Sequence, residues 1–111
     1  MSKRADIIIG IDAGTSVMKA VAFELSGRQI ASASARNRYV TGDDGSATQS
    51  LDQTWRDCAS ALRGLGEKVE NLAARTAAVA VTGQGDGTWL VGSGNGPVGD
   101  AWLWLDARAA P

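Results

Sequence analysis

The stretch IIIGIDAGTSVMKAVAFE, from Ile7 to Glu24, constrains this chain more than any other. Two apolar runs flank the corner Ala13-Gly14-Thr15-Ser16, which has room only for a hairpin turn. The consecutive isoleucines predict a strand over Asp6–Asp12 that is buried on both faces. Val17–Leu25 reads as the second strand, Ser26-Gly27-Arg28 as a turn, and Gln29–Tyr39 as a third strand, with Ile30, Ala31, Ala33 and Ala35 among serines.

After this meander, Thr41–Gln49 reads as a polar loop. Ser50 and Gln53 have the spacing of a helix-capping box. The spacing of Leu51, Trp55, Cys58, Ala59, Leu62 and Leu65 predicts one apolar face of a helix over Leu51–Leu65, ended by Gly64 and Gly66. Glu67–Arg75 adds a short helical turn, and Ala77–Thr82 reads as a central strand. Gly83–Gly87 is a loop, Thr88–Val91 a short strand, Ser93–Gly96 a hairpin turn and Ala101–Leu105 the last strand. The predicted order is β-β-β-α-β with a hairpin appended. A helical crossover makes the strand after it parallel to the first, so the expected class is α/β with a mixed sheet.

A length of 111 residues suits one small domain or a piece of a larger one. The net charge is −1 and no run of Lys or Arg occurs, which argues against a nucleic-acid or anionic-membrane partner. Asp12 interrupts the first apolar run, leaving it too short for a signal segment or a membrane span. Cys58 is the single cysteine, so no intrachain disulfide can form, and a cytoplasmic location fits. There is no histidine, which removes the commonest general base and metal ligand from this chain.

The corner carries more polar chemistry than a turn needs. Gly14 is expected to take positive φ and let the backbone approach a ligand, and successive N–H groups there can form an anion-binding nest. Thr15 and Ser16 add hydroxyl donors, and Lys19 can neutralise phosphate charge. Asp12 would repel a phosphate unless Mg²⁺ or its water shell lay between them. Together these are parts of a phosphoryl-transfer site. The same residues also fit a plain hairpin, since short glycine motifs are common.

IGIDAGTSVMKAVAFE resembles the first phosphate motif of the FGGY carbohydrate kinases, in the sugar kinase, actin and Hsp70 superfamily. VAVTGQGDG resembles the family's sugar-binding segment after the crossover, and WLWLDARA resembles its Trp-x-Asp-x-Arg segment. Within the family, TGQGDGTWLVGSGNGPVGDAWLWLDARA is most similar to the erythritol kinase branch. The resemblance implies an RNase H-like fold and transfer of the γ-phosphoryl group of MgATP to a primary hydroxyl of a sugar alcohol. Asp12 and Lys19 would be catalytic, with Asp12 also the metal anchor. Gly14, Thr15 and Ser16 would hold the phosphate, and Gln84, Asp86 and Trp104 the polyol. It further implies that residues 1–111 are the N-terminal portion of the first of two domains. The catalytic base and the adenosine contacts are then expected outside this chain, the fragment alone is expected to be inactive, and a homodimer would belong to the complete enzyme.

Bland readings stand beside these. Asp86 within Gly-Asp-Gly is also a turn former. Trp89, Trp102 and Trp104 also suit a core, although strand alternation puts Trp102 and Trp104 on one face. Trp55 is expected in the core, and Cys58 reads as a small hydrophobe. Asp106 and Arg108 can pair with each other or order the site from behind the residues that touch the ligand. Gly85 departs from polyol kinases such as glycerol kinase, which carry a large cationic side chain there, and it suits a longer neutral substrate. The rival functions are a ketose kinase acting on xylulose or ribulose, a non-catalytic interaction module, and a nucleotide-binding switch. QGDG and WLWLDAR argue against the switch, which needs no sugar pocket.

Overall fold

The computed structural model describes residues 4–111. In chain order its elements are β1 (Ile7–Ala13), β2 (Val17–Glu24), β3 (Gln29–Arg36), β4 (Val40–Thr41), β5 (Ala47–Gln49), α1 (Leu51–Lys68), α2 (Leu72–Arg75), β6 (Thr76–Gly83) and β7 (Ala101–Trp102). The main sheet runs β3-β2-β1-β6. β1 is antiparallel to β2 and parallel to β6, the arrangement that a helical crossover through α1 produces.

β1 is covered on one face only, which corrects the expectation of a strand buried on both. Ile7, Ile9 and Ile11 are buried with Met18, Ala20 and Ala22 of β2 beneath Ala61 and Leu65 of α1, while Ile8 is 37% exposed. The only long helix among the described residues packs on that one side. β6 is likewise an edge strand rather than a central one: it pairs with β1 alone, and Val79 and Val81 are exposed. Its apolar run has no second strand or helix among the described residues to cover it.

The helix runs past both glycines to Lys68 instead of ending near Leu65. A Cβ on Gly64 would lie 3.2 Å from the Ala33 Cβ, so glycine here lets the helix lie close against β3. Lys68 Nζ then donates to the Ser32 carbonyl at 2.6 Å. At the other end the Ser50 hydroxyl accepts from the Gln53 N–H at 3.1 Å, but the Gln53 side chain donates to Asp57, so only half of the capping box forms. Ser50→Ala is expected to lower stability by about 1 kcal/mol, read from urea denaturation. An unchanged midpoint and slope would show that the cap contributes nothing.

Trp55 is 76% exposed, against the expectation that it joins the core. The inward stripe passes through Thr54, Cys58, Ala61 and Leu65, and Thr54 takes the inner position because its hydroxyl donates to Asn37 Oδ1 at 3.2 Å. Trp55 is turned about 100° from that stripe. Cys58 is partly buried and its thiol is pushed up by that burial, consistent with a packing role.

The segment read as a loop over Thr41–Gln49 contains part of a second sheet, β4-β5-β7, all antiparallel. β5 has three residues, too few for their alternation to stand out, yet Ala47 and Gln49 are buried around Thr48. The short strand expected over Thr88–Val91 is reduced to isolated bridges from Thr88 to Trp102 and from Val91 to Pro97. The turn at Ser93–Gly96 is present, with Asn95 at φ 63°. Among the described residues no helix is long and apolar enough to cross a membrane.

Candidate active site

The corner between β1 and β2 is fixed by buried amides. The Gly14 N–H donates to the Val17 carbonyl at 3.0 Å, closing the turn. Gly14 is not in the left-handed region, contrary to expectation. Glycine is required for a different reason: a Cβ there would lie 2.7 Å from the Val17 carbonyl oxygen. Asn37, 1% exposed, donates Nδ2 to the Gly14 carbonyl at 3.1 Å and its backbone N–H to the Ser16 carbonyl at 2.8 Å. Gln49, 2% exposed, donates Nε2 to the Thr15 carbonyl at 3.0 Å. No peptide bond among the described residues is cis, so each inward carbonyl turns the next N–H the opposite way. The Thr15 and Ser16 N–H groups therefore point away from the Asn37 and Gln49 amides.

Asp12 and Lys19 stand on the face of the sheet opposite α1. They are register partners across β1 and β2, and Thr82 of β6 is the partner of Asp12 on its other side. Both charged side chains are exposed. Neither takes part in the ion pairs formed among the described residues, Glu24–Arg28, Asp6–Arg75 and Asp106–Arg108. A cavity of about 300 Å³ beside Asp12 is lined by Gly10, Asp12, Val21, Phe23, Ala80 and Thr82, among others. No group of three or more His, Cys, Asp or Glu positioned for a metal occurs among the described residues. Asp12 thus offers one carboxylate, which suits Mg²⁺, an ion that keeps waters and phosphate oxygens as its other ligands.

Of the three residues expected to bind sugar, Gln84 and Trp104 converge on Thr15 and Asp86 does not. The Thr15 hydroxyl donates to Gln84 Oε1 at 3.0 Å and accepts from Trp104 Nε1 at 3.0 Å. Gln84 Nε2 donates in turn to Gln49 Oε1 at 2.9 Å. The Thr15 hydroxyl, read from the sequence as a phosphate donor, is therefore engaged on the Gln84 and Trp104 side. Beside this cluster a cavity of about 240 Å³ is lined by Ala13, Thr54, Gly83, Gln84 and Trp89. Asp86 stands apart on the loop, exposed and at φ 58°, a left-handed conformation that aspartate tolerates better than most residues. Its surroundings fit the turn-former reading as well as the ligand reading.

The final segment is locked from below. Asp106 and Arg108 pair, with Nη2 to Oδ2 at 2.7 Å, and Asp106 also accepts from the Ala47 N–H at 2.9 Å. The Arg108 guanidinium lies 3.3 Å from the centroid of the Trp102 ring. As alternation predicts, Trp102 and Trp104 are both about half exposed while Ala101 and Leu103 are buried. Arg108 and the two backbone N–H groups hold the Asp106 carboxyl well below the usual carboxylate range. A lowered folded pKa gives stability that is full above the unfolded value, about 4, and is lost as pH falls toward the folded one. Unfolding midpoints should therefore drop more steeply below about pH 4 in the parent than in Asp106→Asn. Parallel curves would contradict this role.

Asn37, Gln49 and Thr54 were not legible as site residues. Asn37 follows the end of β3 and Gln49 ends the three-residue β5, neither within a motif, and only their burial reveals them.

The chain matches the FGGY family of carbohydrate kinases, N-terminal domain, over residues 7–111. It is 74% identical over 110 residues to the erythritol kinase of Brucella abortus (strain 2308), covering 99% of this chain and 21% of that protein. It is 34% identical over 107 residues to the xylulose kinase of Streptomyces rubiginosus, covering 95% of this chain and 21% of that one. The solved xylulose kinase from Rhodospirillum rubrum superposes with a TM-score of 0.85 at 22% identity, over 94% of this chain and 21% of that structure, and so shares the fold. The chain spans about a fifth of the length of the curated relatives it matches.

Proposed function

Because this chain belongs to the FGGY family of carbohydrate kinases, we propose that it is the N-terminal part of a cytoplasmic, ATP-dependent sugar-alcohol kinase with erythritol as the preferred substrate. The observation that carries this reading is the junction at Thr15. Its backbone belongs to the phosphate corner, and its side chain bonds Gln84 and Trp104, the residues read as polyol ligands. Donor and acceptor groups for the two substrates thus share one rigid turn, and phosphoryl transfer depends mainly on such positioning.

In this reading the Thr15 and Ser16 N–H groups hold the transferring phosphate, and Lys19 offsets its charge. Asp12 would hold Mg²⁺, which when bound neutralises phosphate charge in the transition state. Gln84 and Asp86 bind polyol hydroxyls, and the half-exposed Trp104 ring lies along the C–H face of the substrate. Gly85 favours a neutral, extended substrate. It is outside the left-handed region and a Cβ there would meet no atom within 4 Å, so the backbone does not demand glycine. Its lack of a side chain is better explained by the space it leaves. The free edge of β6 and the bare sheet face beside it support a place in a longer chain that supplies the base and the adenosine site.

The test is ADP release by the complete protein across a panel of sugar alcohols. Turnover that depends on the polyol is expected. No ADP release with any polyol or sugar would favour the interaction-module reading instead, and release that is the same with and without them the nucleotide-binding switch.

A further inference from the structure

We infer that Gln49 is a positioning residue that sets the hydrogen-bond polarity of the polyol pocket, acting through Gln84 and Thr15 as far as Trp104. The inference rests on the kinase reading for the identity of the ligand, but the chain of polarity is a property of the fold. Gln49 is 2% exposed, and two backbone carbonyls face it, those of Thr15 at 3.0 Å and Arg38 at 3.2 Å. Carbonyls only accept, so the amide nitrogen must face them and both its hydrogens are used. The Gln49 oxygen is thereby turned to Gln84, which must answer with its nitrogen, at 2.9 Å. That turns the Gln84 oxygen to Thr15, whose single hydroxyl proton is committed to it at 3.0 Å. The Trp104 indole, a donor only, completes the series by donating to the Thr15 oxygen at 3.0 Å.

Every orientation in the series follows from two fixed peptide carbonyls. Beyond the buried Gln49, what remains free is one N–H on Gln84, one lone pair on its oxygen and one lone pair on Thr15. A donor and an acceptor side by side match a hydroxyl, which offers both, and neighbouring hydroxyls on adjacent carbons can use all of them. The Thr15 oxygen has no proton left for a phosphate, but it can accept one from a polyol hydroxyl. Without Gln49 the Gln84 amide has no reason to prefer one orientation, and the pocket loses its pattern of donors and acceptors.

The test uses Gln49→Leu and Gln49→Glu in the complete kinase. Leu keeps approximate size without polarity, and Glu keeps the shape but sets oxygen against both carbonyls. Both are expected to weaken erythritol binding about tenfold. ATP affinity should fall less, since Gln49 steadies the corner only through the Thr15 carbonyl while Asn37 still holds its Gly14 and Ser16 carbonyls. The indole N–H resonance of Trp104 should shift in both variants and in Thr15→Val. Erythritol binding that survives in Gln49→Glu, or an ATP affinity that falls as far as the polyol affinity, would overturn the inference. So would an unmoved Trp104 resonance, whether or not a polyol binds. A parent protein that binds no polyol, with the resonance still moved by Gln49→Leu, would instead contradict the kinase reading and leave the relay standing.

Discussion

Asp12→Asn in the complete kinase is expected to reduce turnover by about two powers of ten or more, the usual cost of removing one preorganised electrostatic element. Polyol affinity should stay within a few-fold. The separation follows from the sheet: Asp12 and Lys19 face away from α1, whereas Gln84 and Trp104 meet Thr15 on the far side of the corner. Asn preserves the shape and the β1 register with Lys19 and Thr82, so the fold is not the variable. What it lacks is the charge that would anchor Mg²⁺. Rapid-quench measurement of the chemical step, beside equilibrium binding of polyol and of ATP, separates the contributions. Near-normal turnover in Asp12→Asn would remove Asp12 from the mechanism.

The second large effect is expected at Asp86, where the conformation supplies its own control. At φ 58° a side chain is strained and glycine is not, so Asp86→Gly should keep or improve the loop geometry. If Asp86 were only a turn former, that variant would bind polyol as the parent does. If its carboxylate accepts substrate hydroxyl protons, Asp86→Gly should weaken erythritol binding by about tenfold to a hundredfold. Asp86→Asn, which tolerates the same φ and retains one acceptor, should fall between. ATP affinity should not respond to either, because the corner proposed to hold phosphate is fixed by Asn37 and Gln49, both outside the Gly85-Asp86-Gly87 loop. Isothermal titration of the three proteins with erythritol and with ATP decides between the roles. Equal erythritol constants for parent and Asp86→Gly would return Gly85-Asp86-Gly87 to an ordinary turn.

What the sequence made legible divides along physical lines. The hairpin at Ala13–Ser16 and the parallel strand after α1 were readable because apolar runs and turn residues are local signals. The degree of burial was not. Consecutive isoleucines look the same whether one face or both are covered, and here only α1 supplies a cover, leaving Ile8 and Val81 exposed. Trp55 was misplaced because hydrophobicity alone put it on the inner stripe, whereas the hydrogen bond of Thr54 to Asn37 sets the rotation of the helix end. The polar members of the site divide in the same way. Thr15, Gln84 and Trp104 were picked out singly by motif, and the structure brings them within hydrogen-bond distance across the fold. Gln49 carries no motif and no periodicity. Its importance lies in two carbonyls contributed by other segments, which no local pattern contains.

The proposed preference of the complete kinase for a sugar alcohol over a ketose is tested most directly by competition. The complete kinase is given MgATP with equimolar erythritol and xylulose, and the phosphorylated products are separated by mass. The account predicts that erythritol phosphate dominates, because a pocket built from paired donors and acceptors selects for the hydroxyls that satisfy them. Predominance of xylulose phosphate, or ADP formed with no phosphorylated sugar at all, would contradict it.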